Sequence, residues 1–474
     1  MRISQGKCKC LELRRESGIM SFFKAHLGVL TARKSALQNF ENSVLSDGGT
    51  YDKALFLSEY AALPALARSS GSMALVAGAY KAGRIYAIHP ILGTRTDIPF
   101  VRAGVATYFD KNGILQSAAA NIPRIDYDPV TKAVRGYLFE GSATNVIPYS
   151  NDFLGSGWSK VQSTVEASSI VDPTGGTSAQ KLKEDTSLNY HGVQASGATS
   201  ALTMSASIFA KAGERRYITL VMSGNTIRQT VTFDLLTGAI TSETQVNITK
   251  LSASVIQCAN GWWRIMISGT SAGFGILTIR TSLTGINTDV NGEMYQGDGT
   301  SGVYIWGAQM TASNVNTSYI ATAGAQVTRA ADLTATISNI PWFNNNEGSL
   351  YADFSHQLVL DNTIGQYQGA NNIINLRKGG TNALAGFTEG SVVRTLYVTT
   401  GTGGERNKLA SSYKLNELAF VYNGSAPATG SVFIPGLITF VVIFSPNVVE
   451  CRLRSHVYFP IKLTTNQLQT LTTL

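Results

Sequence analysis

The first ninety residues and the rest of the chain follow different periods. Phe23, Leu27, Leu30, Leu37 and Val44 recur at alternating four- and three-residue steps, with Lys34 and Glu41 at the two remaining positions of the series. That spacing predicts an amphipathic helix. Its apolar stripe either packs on its own domain or pairs with copies of itself as a short coiled coil. Pro64 interrupts a second apolar stretch at 55–67, and 72–88, rich in Ala, Gly and Tyr, fits helix, strand or a docking arm. Residues 20–92 are therefore expected to form a helical anchoring and oligomerisation region.

From residue 93 the period shortens towards two. Asp110-Lys111-Asn112-Gly113 separates TYF from ILQ, and Asp128-Pro129 with Thr131-Lys132 separates RIDY from VRGYLFE, so 93–145 reads as a connector of two β-hairpins. Segments at 204–211, 216–223, 228–235, 261–269, 275–282 and 303–310 alternate or run β-rich, with Leu236-Thr237-Gly238 as one turn. Even spacing and Gly-rich turns predict a sandwich or jelly roll over 146–332. Its last stretch, 321–332, is small and polar and reads as a linker. A second β-rich set fills 333–474; it breaks at Pro460 and closes with a short helix capped by Thr464 or Thr465. The expected class is mainly β: two antiparallel β-sandwich modules, jelly-roll and lectin-like, behind a short N-terminal helical anchor.

Composition narrows the functional classes. A chain of 474 residues exceeds one ordinary core. Charged residues are 14%, against about 25% in ordinary soluble domains, and Gly, Ser, Thr and Asn take their place, as suits turn-rich β structure. The apolar run at 433–444 contains a Pro and a Gly and is too short to span a bilayer. The first eighteen residues lack the apolar core of a secretory signal, so membrane integration and classical secretion are both disfavoured. The net charge is +8, of which residues 1–19 hold +3 through five basic and two acidic side chains. The remainder is too dilute for a nucleic-acid footprint. Residues 1–19 are expected to be a disordered tail or an upstream extension of the reading frame. Cys8, Cys10, Cys258 and Cys451 lack the second pair a zinc site needs and form no disulfide framework, which fits assembly in a reducing cytoplasm.

Three strings carry a resemblance. GVATYFDKNGILQSAAANIPRIDYDP (104–129), continuing through GYLFEGSATNVIPYSNDF to WSK and DPTGGTSAQKLKEDTSLNYH, resembles a segment of bacteriophage tail-fibre, collar and head-fibre proteins. YIWGAQMTASNVNTSYIATAGAQVTRAADL (304–333) is similar to the close of that segment. The C-terminal pattern, GSLYADF, YKLNELAFVYNG and VYFPIKLTTNQLQTL, looks like a concanavalin-like or laminin-G-like sandwich. Together these cover about 93–474. The resemblance implies a virion structural protein, assembled in the host cytoplasm and carried on the particle. Residues 20–92 would dock on other virion proteins, and the first module would be a carbohydrate-binding jelly roll touching host-surface glycan. Fibres of this kind are often trimers, so a homo-oligomer is expected, with neither nucleic acid nor membrane as partner. The alternative is a polysaccharide depolymerase or glycan-active enzyme carrying these sandwiches as accessories.

Bond-breaking chemistry finds little to stand on. His26, His89, His191, His356 and His456 are scattered with no His-Glu-x-x-His helix, and Gly-x-Ser-x-Gly is absent. Lys183, Glu184 and Asp185 read as a solvated patch. No catalytic residue is expected. Sugar binding favours aromatic rings with polar neighbours, and Trp158, Trp262, Trp263, Trp306 and Trp342 are the tryptophans available. In GWWRIMISG, Trp263, Ile265 and Ile267 share one face and Trp262, Arg264 and Met266 the other. Trp262 with Arg264, and Trp158, are the glycan-binding candidates, Trp262 as the outward stacking ring. No cofactor is expected. GDGTSG (297–302) and LDN (360–362) offer oxygens towards a structural calcium, but not the six to eight it prefers, and ordinary turns are the simpler reading.

Overall fold

The computed structural model describes residues 31–474 apart from 32, 198–202, 271–272, 274, 339, 357–361, 370–371, 380–381, 390–391, 401–405, 432–437 and 444–449. It is mainly β, with antiparallel sheets packed as two sandwiches. The chain order of those sandwiches differs from the expected string of modules. The second sandwich is built from both ends of the chain, and the first is inserted into it.

One long strand, Glu450–Phe459, sets this arrangement. On one side it pairs with Glu347–Ser355. On the other, its second half pairs with Met73–Val76 and its first half with Val134–Glu140. The sheet continues through Arg84–Ile88 and Arg95–Val101 at one end, and through Asn407–Lys414 and Glu417–Tyr422 at the other. Residues 73–88, open to helix or strand in the sequence, supply three strands of the C-terminal sheet, Met73–Val76 beside Glu450–Phe459 and Arg84–Ile88 and Ala79–Lys81 beyond it. The expected boundary at 92 is thus corrected: 33–140 and 333–474 form one body.

Alternation along these strands shows three layers. Leu350, Ala352 and Phe354 face one core with Leu75, Phe139 and Tyr458. That core is closed by a five-stranded sheet of Asn362–Gln368, Asn372–Gly379, Asn382–Glu389, Val392–Thr399 and Phe440–Val442. Tyr351, Ala74, Val76, Val457 and Phe459 face the opposite way and are covered by helices. Those helices are 33–46, Lys53–Ala62, Ala65–Ser70 and Thr465–Thr472. Phe40 stacks on Phe56 at 5.0 Å, and Val44, Tyr60, Leu468 and Leu471 complete the cover. Within the described part of the heptad series, Val44 is buried and Leu37 packs against the same core, so the stripe faces its own sheet; Phe23, Leu27 and Leu30 lie outside the described residues, as do 1–19, Cys8 and Cys10. The last helix starts at the predicted Thr464, whose hydroxyl accepts from Gln467 N while the Gln467 side chain accepts from Thr464 N, a reciprocal cap.

The inserted sandwich runs between Glu140 and Asp332. An eight-stranded sheet is ordered Ser163–Ala167, Gln180–Glu184, Gly302–Thr311, Thr203–Ala212, Trp263–Thr270 and Thr249–Gln257, with Ala143–Asn145 and Val327–Arg329 added beside Gly302–Thr311. It faces a six-stranded sheet ordered Ser159–Val161, Gly192–Ser196, Ile276–Ser282, Tyr217–Ser223, Arg228–Asp234 and Ile240–Val246. Ile208, Leu220, Phe233, Ile265, Ile267 and Ile305 lie between them, fully buried. The stretch 321–332 is no linker: Val327–Arg329 pairs with Ala143–Asn145 and closes the insert. The turn at Asp110–Gly113 joins Ala106–Phe109 to Leu115–Ala118 as the sequence predicts, with Gly113 at φ 76°. Cys258 and Cys451 are free, buried thiols.

Candidate functional site

The three glycan-binding candidates are all buried. Trp262 has no exposed surface, Arg264 is 5% exposed and Trp158 1%. Trp158 belongs to the insert's core, tilted against Phe153 at 4.8 Å and donating to the Tyr149 carbonyl at 2.7 Å. Trp262 does lie on the face opposite Ile265 and Ile267, as alternation requires, but that face is not open. Phe109 and Leu115 of the 106–118 hairpin pack over it, forming a second cluster with Phe209, Trp262, Trp306 and Tyr319. The cover is pinned by hydrogen bonds: Trp262 Nε1 to Val171 O at 2.8 Å, Thr107 Oγ1 to Tyr319 O at 2.6 Å and Leu115 N to Pro173 O at 2.9 Å. Arg264 donates to Ser207 Oγ and Thr317 O beneath it; burial lowers its pKa to about 10. The sequence fixes which face each ring takes but not that a distant hairpin covers the face.

The outer face of the six-stranded sheet is also filled by the chain itself. Thr230 Oγ1 donates to Val290 O and Thr232 Oγ1 to Asn287 Oδ1, each at 2.6 Å, while Arg280 bonds the Asn291 carbonyl. The segment following Ile276–Ser282 therefore lies across the sheet as a plug.

At the point of insertion the chain buries charge. Arg124 bonds Glu140 at 2.7 Å and Asp332 at 2.5 Å, and Arg102 bonds Asp332 at 3.0 Å. Arg329 also bonds Glu140, and Ser318 gives it both its N–H, at 2.7 Å, and its hydroxyl. Beside them Arg452 joins Asp126 at 2.6 Å and reaches Glu450. Four guanidiniums and four carboxylates thus balance. Arg102, Arg124, Arg329, Glu140 and Asp332 are at most 3% exposed. Burial would raise the Glu140 carboxyl, but Arg329, Arg124 and the Ser318 donors outweigh it and bring it down to about 2. Glu450 goes the other way, raised by burial. These groups come from both ends of the insert and from the outer body, so they fix one sandwich against the other.

An open cleft of about 730 Å³ lies on the outer body, between the end of helix 33–46, strand Arg95–Val101 and residues 336–341. Arg95 organises it: Nε bonds Asp97 Oδ1 at 2.6 Å, and Nη1 donates to the Ser43 carbonyl at 2.6 Å, capping the helix. Its guanidinium also sits 4.7 Å over the Tyr86 ring. Asp47 follows the helix and accepts from Tyr86 Oη at 2.5 Å. That bond, with Arg95, Lys81 and Arg84 around it, lowers the Asp47 pKa against an opposing desolvation. Arg84, behind the lining, also bonds Asp97 at 2.8 Å. Thr96, Thr336 and Ser338 line the rim with hydroxyls that have no protein partner among the described residues. Nothing in the local sequence marks this site. Its parts lie fifty and then two hundred and forty residues apart; the pairing of Leu333–Thr334 with Arg95–Val101 and the bonds from Arg95 to Ser43 and Tyr86 to Asp47 bring them together.

Among the described residues no group of three or more His, Cys, Asp or Glu side chains is arranged to hold a metal ion. In GDGTSG, Asp298 already accepts from Thr300 N, Ser301 N and Ser301 Oγ, so the loop is an Asx turn. Of LDN, Leu360 and Asp361 lie outside the described residues. Glu184 is not solvated as expected: it is 1% exposed and held by Arg215 and by Tyr295 Oη at 2.6 Å. Among the described residues no helix is long and apolar enough to cross a membrane.

No family model and no curated protein matches this chain. Solved structures give partial similarity. The receptor-binding domain of botulinum neurotoxin C/D mosaic serotype is 11% identical over 30% of this chain and 40% of its own, at a TM-score of 0.26. Mouse laminin alpha1 chain domains LG4-5 are 10% identical over 58% of this chain and 85% of theirs, at 0.20. Trypanosoma rangeli sialidase is 10% identical over 62% and 60%, at 0.24. The chain thus spans about 40% of the toxin domain's length.

Proposed function

We propose that this chain is a bacteriophage virion appendage that contacts host-surface glycan, with its N-terminal region as the attachment end. The observation that carries the reading is the insertion junction. Buried ion pairs among Arg102, Arg124, Arg329, Glu140 and Asp332 tie the two β-sandwiches together where the chain passes between them, which suits a part that keeps its shape outside the cell. The strings at 104–191 and 304–333, similar to those of tail-fibre, collar and head-fibre proteins, support the same reading.

Display without bond cleavage fits the polar groups on the surface. The cleft carboxylates Asp47 and Asp97 are tied to phenol and guanidinium donors, and Asp47 is held ionised, the wrong state for a proton donor to a leaving group. Assembly in the host cytoplasm accords with the free, buried thiols of Cys258 and Cys451.

The test is mass spectrometry of density-purified particles from the replicon encoding this chain, paired with adsorption competition. The chain should be present in repeated copies per particle, and excess purified protein should cut host adsorption at least tenfold. Absence from washed particles overturns the virion reading; presence with undiminished adsorption removes host contact and leaves a structural part.

A further inference from the structure

We propose that the cleft between Asp47, Arg95, Asp97, Thr336 and Ser338 is a binding site for one or two neutral pyranose residues. The inference rests on the glycan-contact reading and adds the place and the chemical class.

Size and lining point the same way. A volume of about 730 Å³ falls within the ~300–1,000 Å³ range of small-molecule sites. A pyranose carries adjacent hydroxyls, each both donor and acceptor. Such a pair fits a carboxylate beside a guanidinium, the arrangement that Asp97 and Arg95 hold at 2.6 Å. Both side chains are fixed before any ligand arrives. Arg95 is tied to the helix end and lies over Tyr86, and Asp97 is also held by Arg84. Little ordering cost therefore remains for binding. The rim hydroxyls of Thr96, Thr336 and Ser338 are free to join, and Pro99 and Pro341 give apolar surface for the C–H face of a ring.

Charge selects the class. The charged groups that line the cleft are Asp47, Asp97 and Arg95, with Lys81 and Arg84 directly behind them, and all three cations are already paired with the two carboxylates, Arg95 on three of its N–H groups. A uronate or sialate would have to break one of these ion pairs to find a cation for its own carboxylate. A neutral sugar meets no such penalty.

Saturation-transfer NMR on the full chain tests this, using lactose, maltose, cellobiose and N,N′-diacetylchitobiose beside glucuronate- and sialate-ended disaccharides. At least one neutral sugar should give a signal, with the acidic sugars at least fivefold weaker. The double variant Thr336→Trp/Ser338→Trp, at two exposed rim positions, should keep the wild-type melting temperature and lose the signal at least fivefold. Asp97→Asn, a smaller change, should weaken it in the same direction. Neutral-sugar binding unchanged in the double variant overturns the site and leaves glycan contact standing. Preference for acidic sugars overturns the class. Silence with every sugar, confirmed on an array of bacterial surface polysaccharides, overturns the glycan reading and this site with it.

Discussion

Arg124 and Glu140 meet at 2.7 Å where the chain leaves one sandwich for the other, and neither side chain is more than 1% exposed. Removing one member of such a pair strands its partner in a medium that cannot solvate it. Arg124→Met should lower stability by about 3–5 kcal/mol. Wild-type protein should unfold in one urea transition, whether followed by tryptophan fluorescence or by far-ultraviolet dichroism. In the variant the two probes should separate, because the insert loses its fixed seat. Coincident transitions in Arg124→Met would show that the junction does not couple the sandwiches.

Trp262→Ala should destabilise the insert by about 3–5 kcal/mol, the range for deleting a large buried ring. The cause is a cavity under the 106–118 hairpin, where Phe109 and Leu115 lose their contact. Any sugar affinity measured below the unfolding range should stay within twofold of wild type. A stable Trp262→Ala protein with lost sugar binding would restore the ring as an open platform.

Two buried groups give pH dependence in separate windows. His456 lies between the sheets, its Nε2 2.9 Å from Tyr367 Oη, and burial lowers its pKa from 6.5 to about 4. As pH falls below 6.5 the unfolded chain gains a proton there and the folded chain does not, so stability declines until about pH 4. The loss is of order 3 kcal/mol, at 1.36 kcal/mol per pH unit. Glu140, brought from 4.5 to about 2, supports the fold fully above pH 4.5 and is lost as pH falls through about 2. Denaturant titrations across pH should show His456→Gln flattening the upper window alone. An unchanged slope between pH 6.5 and 4.5 would place that histidine in contact with water.

Gly136 sits at φ 111° with the Leu453 carbonyl 2.2 Å from where a Cβ would stand. Gly136→Ala should cost more than about 2 kcal/mol, since both the backbone conformation and the strand pairing resist it. Thermal melting measures it; a change under about 0.5 kcal/mol would mean that the strand shifts freely.

The sequence carries the local structure well and the long-range pairing poorly. Alternation in GWWRIMISG assigns Trp263 and Trp262 to opposite faces, the Asp110–Gly113 turn lies where Asn-Gly places it, and Thr464 caps the final helix. Each rests on residues within a few positions of one another. Partners hundreds of residues away leave no local mark. Met73–Val76 belongs beside Ser455–Tyr458, yet the Ala-, Gly- and Tyr-rich stretch 72–88 that holds it fits several elements equally well. Arg124 and Arg329 look like surface charges until Glu140 is placed between them. The same gap hid the cleft, whose walls come from 43–47, 95–99 and 336–341.

Cryo-electron microscopy of purified particles tests the appendage reading most directly. It should show this chain projecting from the particle as paired sandwiches at one constant angle, the 33–70 helices towards the particle and the insert outward. Particles that lack such density, or that carry the two sandwiches at variable angles, would contradict it.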